Sequence, residues 1–137
     1  MTRAVVDPNV FVAAAIRPEG TAARCLHAHA EGRFELVVSP LLLDELRRVL
    51  RREKFRPFLT LEAGEQLVEA LSRNATVVDD PAEREPVSRD PGDDCLIALA
   101  RAVAAHVLVS GEEDLLGLDL HDVKIASPRE FLDLLPS

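Results

Sequence analysis

Acidic side chains arrive at four places along the chain. These are Asp7 after Val5-Val6; Glu45 within Leu41-Leu42-Leu43-Asp44-Glu45-Leu46; Asp90, Asp93 and Asp94 within Arg89-Asp90-Pro91-Gly92-Asp93-Asp94; and Glu112, Glu113 and Asp114 after Val107-Leu108-Val109-Ser110-Gly111. Carboxylates gathered in one place repel one another unless something positive sits between them. An all-oxygen cluster without a matching set of His and Cys suits a hard cation, Mg2+ or Mn2+, rather than zinc. His27, His29, His106 and His121 fall in no ligand spacing, and Cys25 and Cys95 are too far apart for a zinc motif or a disulfide framework. Both cysteines read as reduced core filling. Divalent ions in carboxylate sites act on phosphates, activating water for in-line attack and stabilising the leaving oxygen. The chain has no Gly-rich phosphate loop, which argues against nucleoside triphosphate hydrolysis and leaves phosphodiester hydrolysis as the chemistry that fits.

Such chemistry needs elements that deliver distant residues to one rim. Ala4-Val5-Val6 is a short apolar run of strand character that stops at Asp7-Pro8-Asn9, followed by helix through Val10 to Ile16. A second helix runs from Thr21 to the stop at Glu31-Gly32. Phe34 to Val38 reads as the second strand. Ser39-Pro40 is a strong helix start, Ser as N-cap and Pro at the first position, continued by Leu41, Leu42, Glu45, Leu46, Val49 and Leu50. On that helix Glu45 shares a side with Leu41, Leu42 and Val49, all expected to be buried. A carboxylate there needs a partner, either a cation in the rim or Arg48 or Arg52.

Thr60 opens a helix over 61–72, 75–78 reads as the third strand, and the Pro-rich, charged segment 79–88 is a loop. Asp90-Pro91-Gly92 supplies turn chemistry, after which Asp93 and Asp94 sit at a helix start, where carboxylates favour the positive end of the helix dipole. Leu96, Leu99, Ala100 and Val103 recur at helical spacing, and Val107 to Val109 suits a strand covered on both faces. Leu115 to Leu118 is a short turn, 123–126 a fifth strand, and Ser127-Pro128-Arg129-Glu130 a capping box that starts the last helix. Strands separated by helices imply a three-layer α/β/α sandwich on a mainly parallel five-stranded sheet. Ligands bind such sheets at the carboxyl ends of the strands, the edge where all four acidic groups fall.

At 137 residues the chain is expected to be a single domain, 1–137, of globular composition, 47% hydrophobic and 29% charged. A net charge of −8 argues against simple electrostatic adhesion to nucleic acid, yet 47–56 holds Arg47, Arg48, Arg51, Arg52, Lys54 and Arg56 against Glu53 alone. That run extends the helix carrying Glu45 and is either a guide for an RNA backbone or a solvated helix face. No apolar run approaches the roughly 20 residues of a membrane span, and the opening lacks a signal-peptide pattern, so a cytoplasmic location is expected.

The four acidic segments, in order, resemble the motifs of PIN-domain nucleases, specifically the bacterial subgroup that supplies toxins of type II toxin-antitoxin pairs. Val5-Val6-Asp7-Pro8-Asn9-Val10 resembles the first motif, Ser39 to Leu46 the second, Arg89 to Asp94 the third and Val109 to Leu116 the fourth, with 127–132 extending the likeness to nearly the whole chain. The resemblance implies a ribonuclease dependent on Mg2+ or Mn2+ with a water nucleophile. Asp7, Glu45 and Asp94 fall on the first three acidic positions, Asp94 being preferred because it directly precedes Cys95-Leu96-Ile97-Ala98. Asp93 and Asp90 are alternative ligands, and Asn9 and Ser39 are supporting residues. Two positions depart from the family pattern. Pro8 replaces a Thr or Ser, removing a hydroxyl that could orient Asp7, and Glu112 replaces the usual Asp, so that the fourth ligand is either Glu112 or Asp114. The resemblance also implies a homodimer and a protein antitoxin, with the apolar surface of 41–50 and 61–72 as their docking face.

Two other readings fit parts of the sequence. A PIN-like module that binds RNA or protein without cleaving it would explain Pro8 and Glu112. A phosphate-accepting receiver domain would use Asp79, Ser110 and Lys124, but the acidic pair expected after its first strand is missing.

Overall fold

The computed structural model describes residues 1–82, 86 and 91–136. Five parallel strands form one sheet: β1 (Arg3–Val6), β2 (Glu35–Val38), β3 (Thr76–Val77), β4 (Val107–Val109) and β5 (Ile125–Ala126), in the order β3-β2-β1-β4-β5. Among the described residues, seven helices connect or flank them: α1 (Pro8–Ile16), α2 (Thr21–Ala30), α3 (Pro40–Leu50), α4 (Leu61–Asn74), α5 (Pro91–Ala102), α6 (Glu113–Leu116) and α7 (Pro128–Leu134). A 3-10 turn, Glu53–Phe55, lies between α3 and α4.

The buried residues of the central strands explain why the sheet is parallel and covered. In β1, Ala4, Val5 and Val6 are all buried, as are Val107, Leu108 and Val109 of β4, so both faces of the sheet are packed. Helix α5 lies against β1 and β4, while α7 lies against β4 and β5 and joins α2. Phe131 of α7 meets Phe34 edge to face at 4.8 Å between centroids. The three-layer α/β arrangement read from the sequence is the one found.

Local chemistry sets the turns at the carboxyl edge. Asp7 caps α1 by accepting the Asn9 N–H, and Pro8 takes the first helical position. Ser39 caps α3 through the Leu42 N–H, again with Pro next. Ser127 and Glu130 form the reciprocal capping box of α7. Each short turn drops a polar residue at the rim and sends the chain straight into a helix.

Several boundaries and environments differ from the sequence reading. Strand β3 keeps only Thr76 and Val77, both exposed at the sheet edge, and β5 only Ile125 and Ala126, although the flanking Val78 and Lys124 still hydrogen-bond to Val38 and Leu108 of the neighbouring strands. Leu41, expected to be buried, is 52% exposed: it sits in the first turn of α3, where it lines the open cleft. Cys25 is buried as expected, whereas Cys95 is half-buried on the wall of a cleft rather than in the core.

Candidate active site

The chain order reverses between β1 and β4: β2 and β3 extend the sheet on one side of β1, β4 and β5 on the other. A crevice opens outside the carboxyl ends of two strands at such a switch point. Asp7, first residue after β1, and Ser110, first after β4, meet there. The Asp7 N–H donates to the Val109 carbonyl at 2.9 Å, so the turn is tied to the neighbouring strand.

Four side chains interlock around this point. Asp7 is 3% exposed; its Oδ1 accepts the Asn9 N–H at 3.0 Å and its Oδ2 accepts a hydrogen bond from Ser110 Oγ at 2.8 Å. Ser110 Oγ in turn accepts the Glu112 N–H at 3.0 Å, and Asn9 Nδ2 donates to Glu112 Oε1 at 3.0 Å. One carboxylate is thereby oriented at both oxygens, and a second is drawn over it. Burying a charged group requires such partners. Ser110 supplies the hydroxyl that Pro8 withholds, and sequence reading assigned it no place in this site.

A cleft of about 500 Å³ opens in front of Asp7. One wall is α3, with Leu42, Glu45, Arg48 and Val49, continued by Arg52; the other is the start of α5, with Asp93, Cys95 and Leu96. Asn9 and Ser39 stand on its floor with Asp7, and Asp80 closes the rim beyond β3. Asp80 Oδ2 accepts the Leu41 N–H at 3.0 Å, so an acidic residue not singled out in the sequence reading joins the cleft by helping cap α3. Four carboxylates, Asp7, Glu45, Asp80 and Asp93, thus face Arg48 and Arg52.

The other expected residues are distributed as follows. Asp94 is 6% exposed in the first turn of α5, beside the cleft residues Asp93 and Cys95. Glu112 reaches the site through Asn9, whereas Asp114 is exposed in α6 and does not line the cleft. Asp90 lies outside the described residues. Glu45 is half-exposed rather than buried, and its Oε2 accepts hydrogen bonds from Arg48. The basic run divides: Arg47 and Arg51 both pair with Glu65 of α4, and Arg56 donates to the Leu50 carbonyl at the end of α3. Only Arg48 and Arg52 face the cleft, and Arg52 makes no ion pair with the described residues.

For a divalent ion, the donor chemistry is suitable: oxygen ligands alone, with Asp7 pre-oriented in the cleft floor. The set is not drawn together around a point. Among the described residues, no three His, Cys, Asp or Glu side chains stand close enough to enclose an ion. Glu45 is turned to Arg48 and Glu112 to Asn9, and both are long side chains that can swing.

Comparisons with known proteins bear on the fold and the family. An uncharacterised archaeal protein of Methanocaldococcus jannaschii is 26% identical over 141 residues, covering 96% of this chain and 90% of that protein. Among solved structures, VapBC2 from Rickettsia felis, bound to a DNA fragment from its promoter, superposes with a TM-score of 0.66 at 14% identity, over 92% of this chain and 98% of that one. PAE2754 from Pyrobaculum aerophilum gives 0.63 at 18% identity, over 96% and 88%. At such identities the structural likeness speaks for the fold. The sequence model described as PIN domain matches residues 3–114, from β1 through the acidic turn after β4, and the chain belongs to the PIN-domain family.

Proposed function

We propose that this protein is an endoribonuclease dependent on Mg2+ or Mn2+, acting as the toxin of a toxin-antitoxin pair. The observation that carries the reading is Asp7: a carboxylate buried at the β1/β4 switch point, fixed at both oxygens, and facing a cleft lined by Glu45 and Asp93. Family membership makes nuclease chemistry the natural use of such a site. When bound, a divalent ion supplies Lewis acidity and a water acidified toward neutral pH. Asp7 and Asp94 are its proposed holders, with Glu45, Glu112 and Asp93 completing the set; Asp114 and Asp90 remain alternative ligands. Asn9 positions Glu112, Ser110 orients Asp7, and Ser39 holds the helix that carries Glu45. Arg52 and Arg48 receive the RNA backbone, positioning phosphate over the carboxylates that would otherwise repel it. Arg47 and Arg51, paired with Glu65, contribute to α3–α4 packing rather than to RNA binding. Leu41, Phe58 and Leu61 are exposed around α3 and α4, which supports that face as the place where a second copy or an antitoxin docks.

The alternative, a PIN-like module that binds without cleaving, is favoured by the Glu45–Arg48 pair, which engages one oxygen of a proposed ligand. Incubating mixed RNA with the purified protein, in Mg2+, in Mn2+ and with a chelator, beside Asp7→Asn/Asp94→Asn, separates the two. Asn retains an oxygen acceptor for the α1 cap, so the fold survives the substitution at Asp7. Cleavage that requires metal and vanishes in the double variant is expected. A folded wild type that binds RNA and leaves it intact would establish the binding module instead.

A further inference from the structure

Glu45 and Arg48 lie one turn apart on α3 and both face the cleft. Glu45 Oε2 accepts from Nε of Arg48 at 3.2 Å and from its Nη2 as well. The same helix carries a second pair at the same spacing, Asp44–Arg47, but that one lies outside the cleft and Arg47 also binds Glu65. Arg52, one turn beyond Arg48, lines the cleft with no ion pair among the described residues. Among the described residues the cleft therefore holds two arginines of equal charge, one of them bound to a carboxylate.

We propose that the Glu45–Arg48 pair is a latch that couples cation binding to phosphate binding. The inference rests on the proposed function, in which Glu45 is a cation ligand and Arg48 a phosphate contact. In the structure these two groups hold each other. Arg48 holds only Oε2, so an ion that takes both oxygens of Glu45 must part the pair, and the released guanidinium is then available to an RNA phosphate. A phosphate that takes Arg48 first leaves Glu45 available to the ion. Whichever ligand binds first opens the latch and the second does not, so each tightens the other by the same factor. Both side chains are substantially exposed, at 67% for Arg48 and 43% for Glu45, which limits the coupling to a few-fold.

The test is Mn2+ binding measured by titration calorimetry on the wild type, Arg48→Ala, Arg52→Ala, Glu45→Gln, Glu45→Gln/Arg48→Ala and Asp7→Asn. Removing either arginine lifts one positive charge from the cleft; only Arg48→Ala also frees Glu45. Arg48→Ala is expected to tighten Mn2+ by about threefold more than Arg52→Ala does. Glu45→Gln should weaken binding, and in that background Arg48→Ala should do no more than Arg52→Ala does in the wild type. A short 2′-O-methyl oligoribonucleotide should tighten Mn2+ more in the wild type than in Arg48→Ala. Equal effects of the two arginine substitutions would overturn the latch and leave a simple field effect. Binding that depends on Asp7 but is indifferent to Arg48 overturns the latch alone, whereas no Mn2+ binding by the wild type removes the metal site and the latch with it.

Discussion

Asp7 shows how much of a site one residue can specify. Its position after an apolar strand and before Pro8 made it legible in the sequence, and the same local logic placed Ser39 as a cap and Asp94 in the first turn of a helix. Its hydroxyl partner was not legible, because Ser110 is 103 residues away and reaches Asp7 only through the pairing of β1 with β4. The apparent defect at Pro8 is thus met from another strand. Ser110→Ala should fold, since the hydroxyl is replaced by a smaller apolar group in a buried site, yet lose roughly 10- to 100-fold in metal affinity or cleavage as the orienting hydrogen bond disappears. Full activity in that variant would remove Ser110 from the account. Pro8→Thr should leave cleavage unchanged, because Asp7 Oδ2 already has its donor; a gain on introducing Thr would mean that the Ser110 bond is not sufficient.

At the scale of the element, α3 explains why counting charges misled. A helix sends residues four apart to one face, so Arg47 and Arg51 turn together toward Glu65 while Arg48 and Arg52 turn together into the cleft. The sequence carried this phase, but only the packing of α4 shows which face is which. Arg52→Glu should weaken RNA binding and lower the slope of log affinity against log salt by about one. Arg51→Glu should leave RNA binding almost unchanged and lower the melting temperature slightly, through repulsion from Glu65. The reverse assignment of the two effects would contradict the phasing. The end of α5 offers a separate check on element design. There Ala104 takes a positive φ of 51°, with Ala105 N–H bonded to the Ala100 carbonyl, the arrangement in which Gly32, at 75°, closes α2. Ala104→Gly removes the left-handed strain on a Cβ and should stabilise the protein by about 0.5 kcal/mol, net of the extra flexibility glycine gives the unfolded chain. A lower melting temperature would show that the strain is relieved elsewhere.

For the whole molecule, alternation of strands and helices was enough to identify the parallel sheet, because buried apolar runs between capped helices admit few other architectures. The strand order was not readable, and it is the order that creates the crevice between β1 and β4. Two groups, the buried Cys25 and the half-buried His29, give the folded chain a pH signature away from the site. Burial holds His29 below its ordinary value of 6.5, so the unfolded chain binds more protons just below that pH, and stability, full above it, should fall as the solution is acidified through 6.5. Burial pushes the Cys25 thiol up to about 11 from 9.0, against a smaller opposing effect of Arg24; the unfolded chain loses its proton first, so stability should fall again as pH rises from 9 toward 11. With neither Trp nor Tyr in the sequence, circular dichroism during denaturation is the suitable readout, and His29→Gln and Cys25→Ala should each flatten one limb. A profile flat across both ranges would contradict the burial of these groups. The central claim, that the carboxylates at the switch point form a divalent-metal site, is tested most directly by anomalous diffraction from crystals soaked in Mn2+. The account predicts a peak at the carboxyl edge, coordinated by Asp7 and Asp94 with Glu45 or Asp93 turned toward it. A peak elsewhere on the acidic surface, or none at a concentration that supports RNA cleavage, would contradict it.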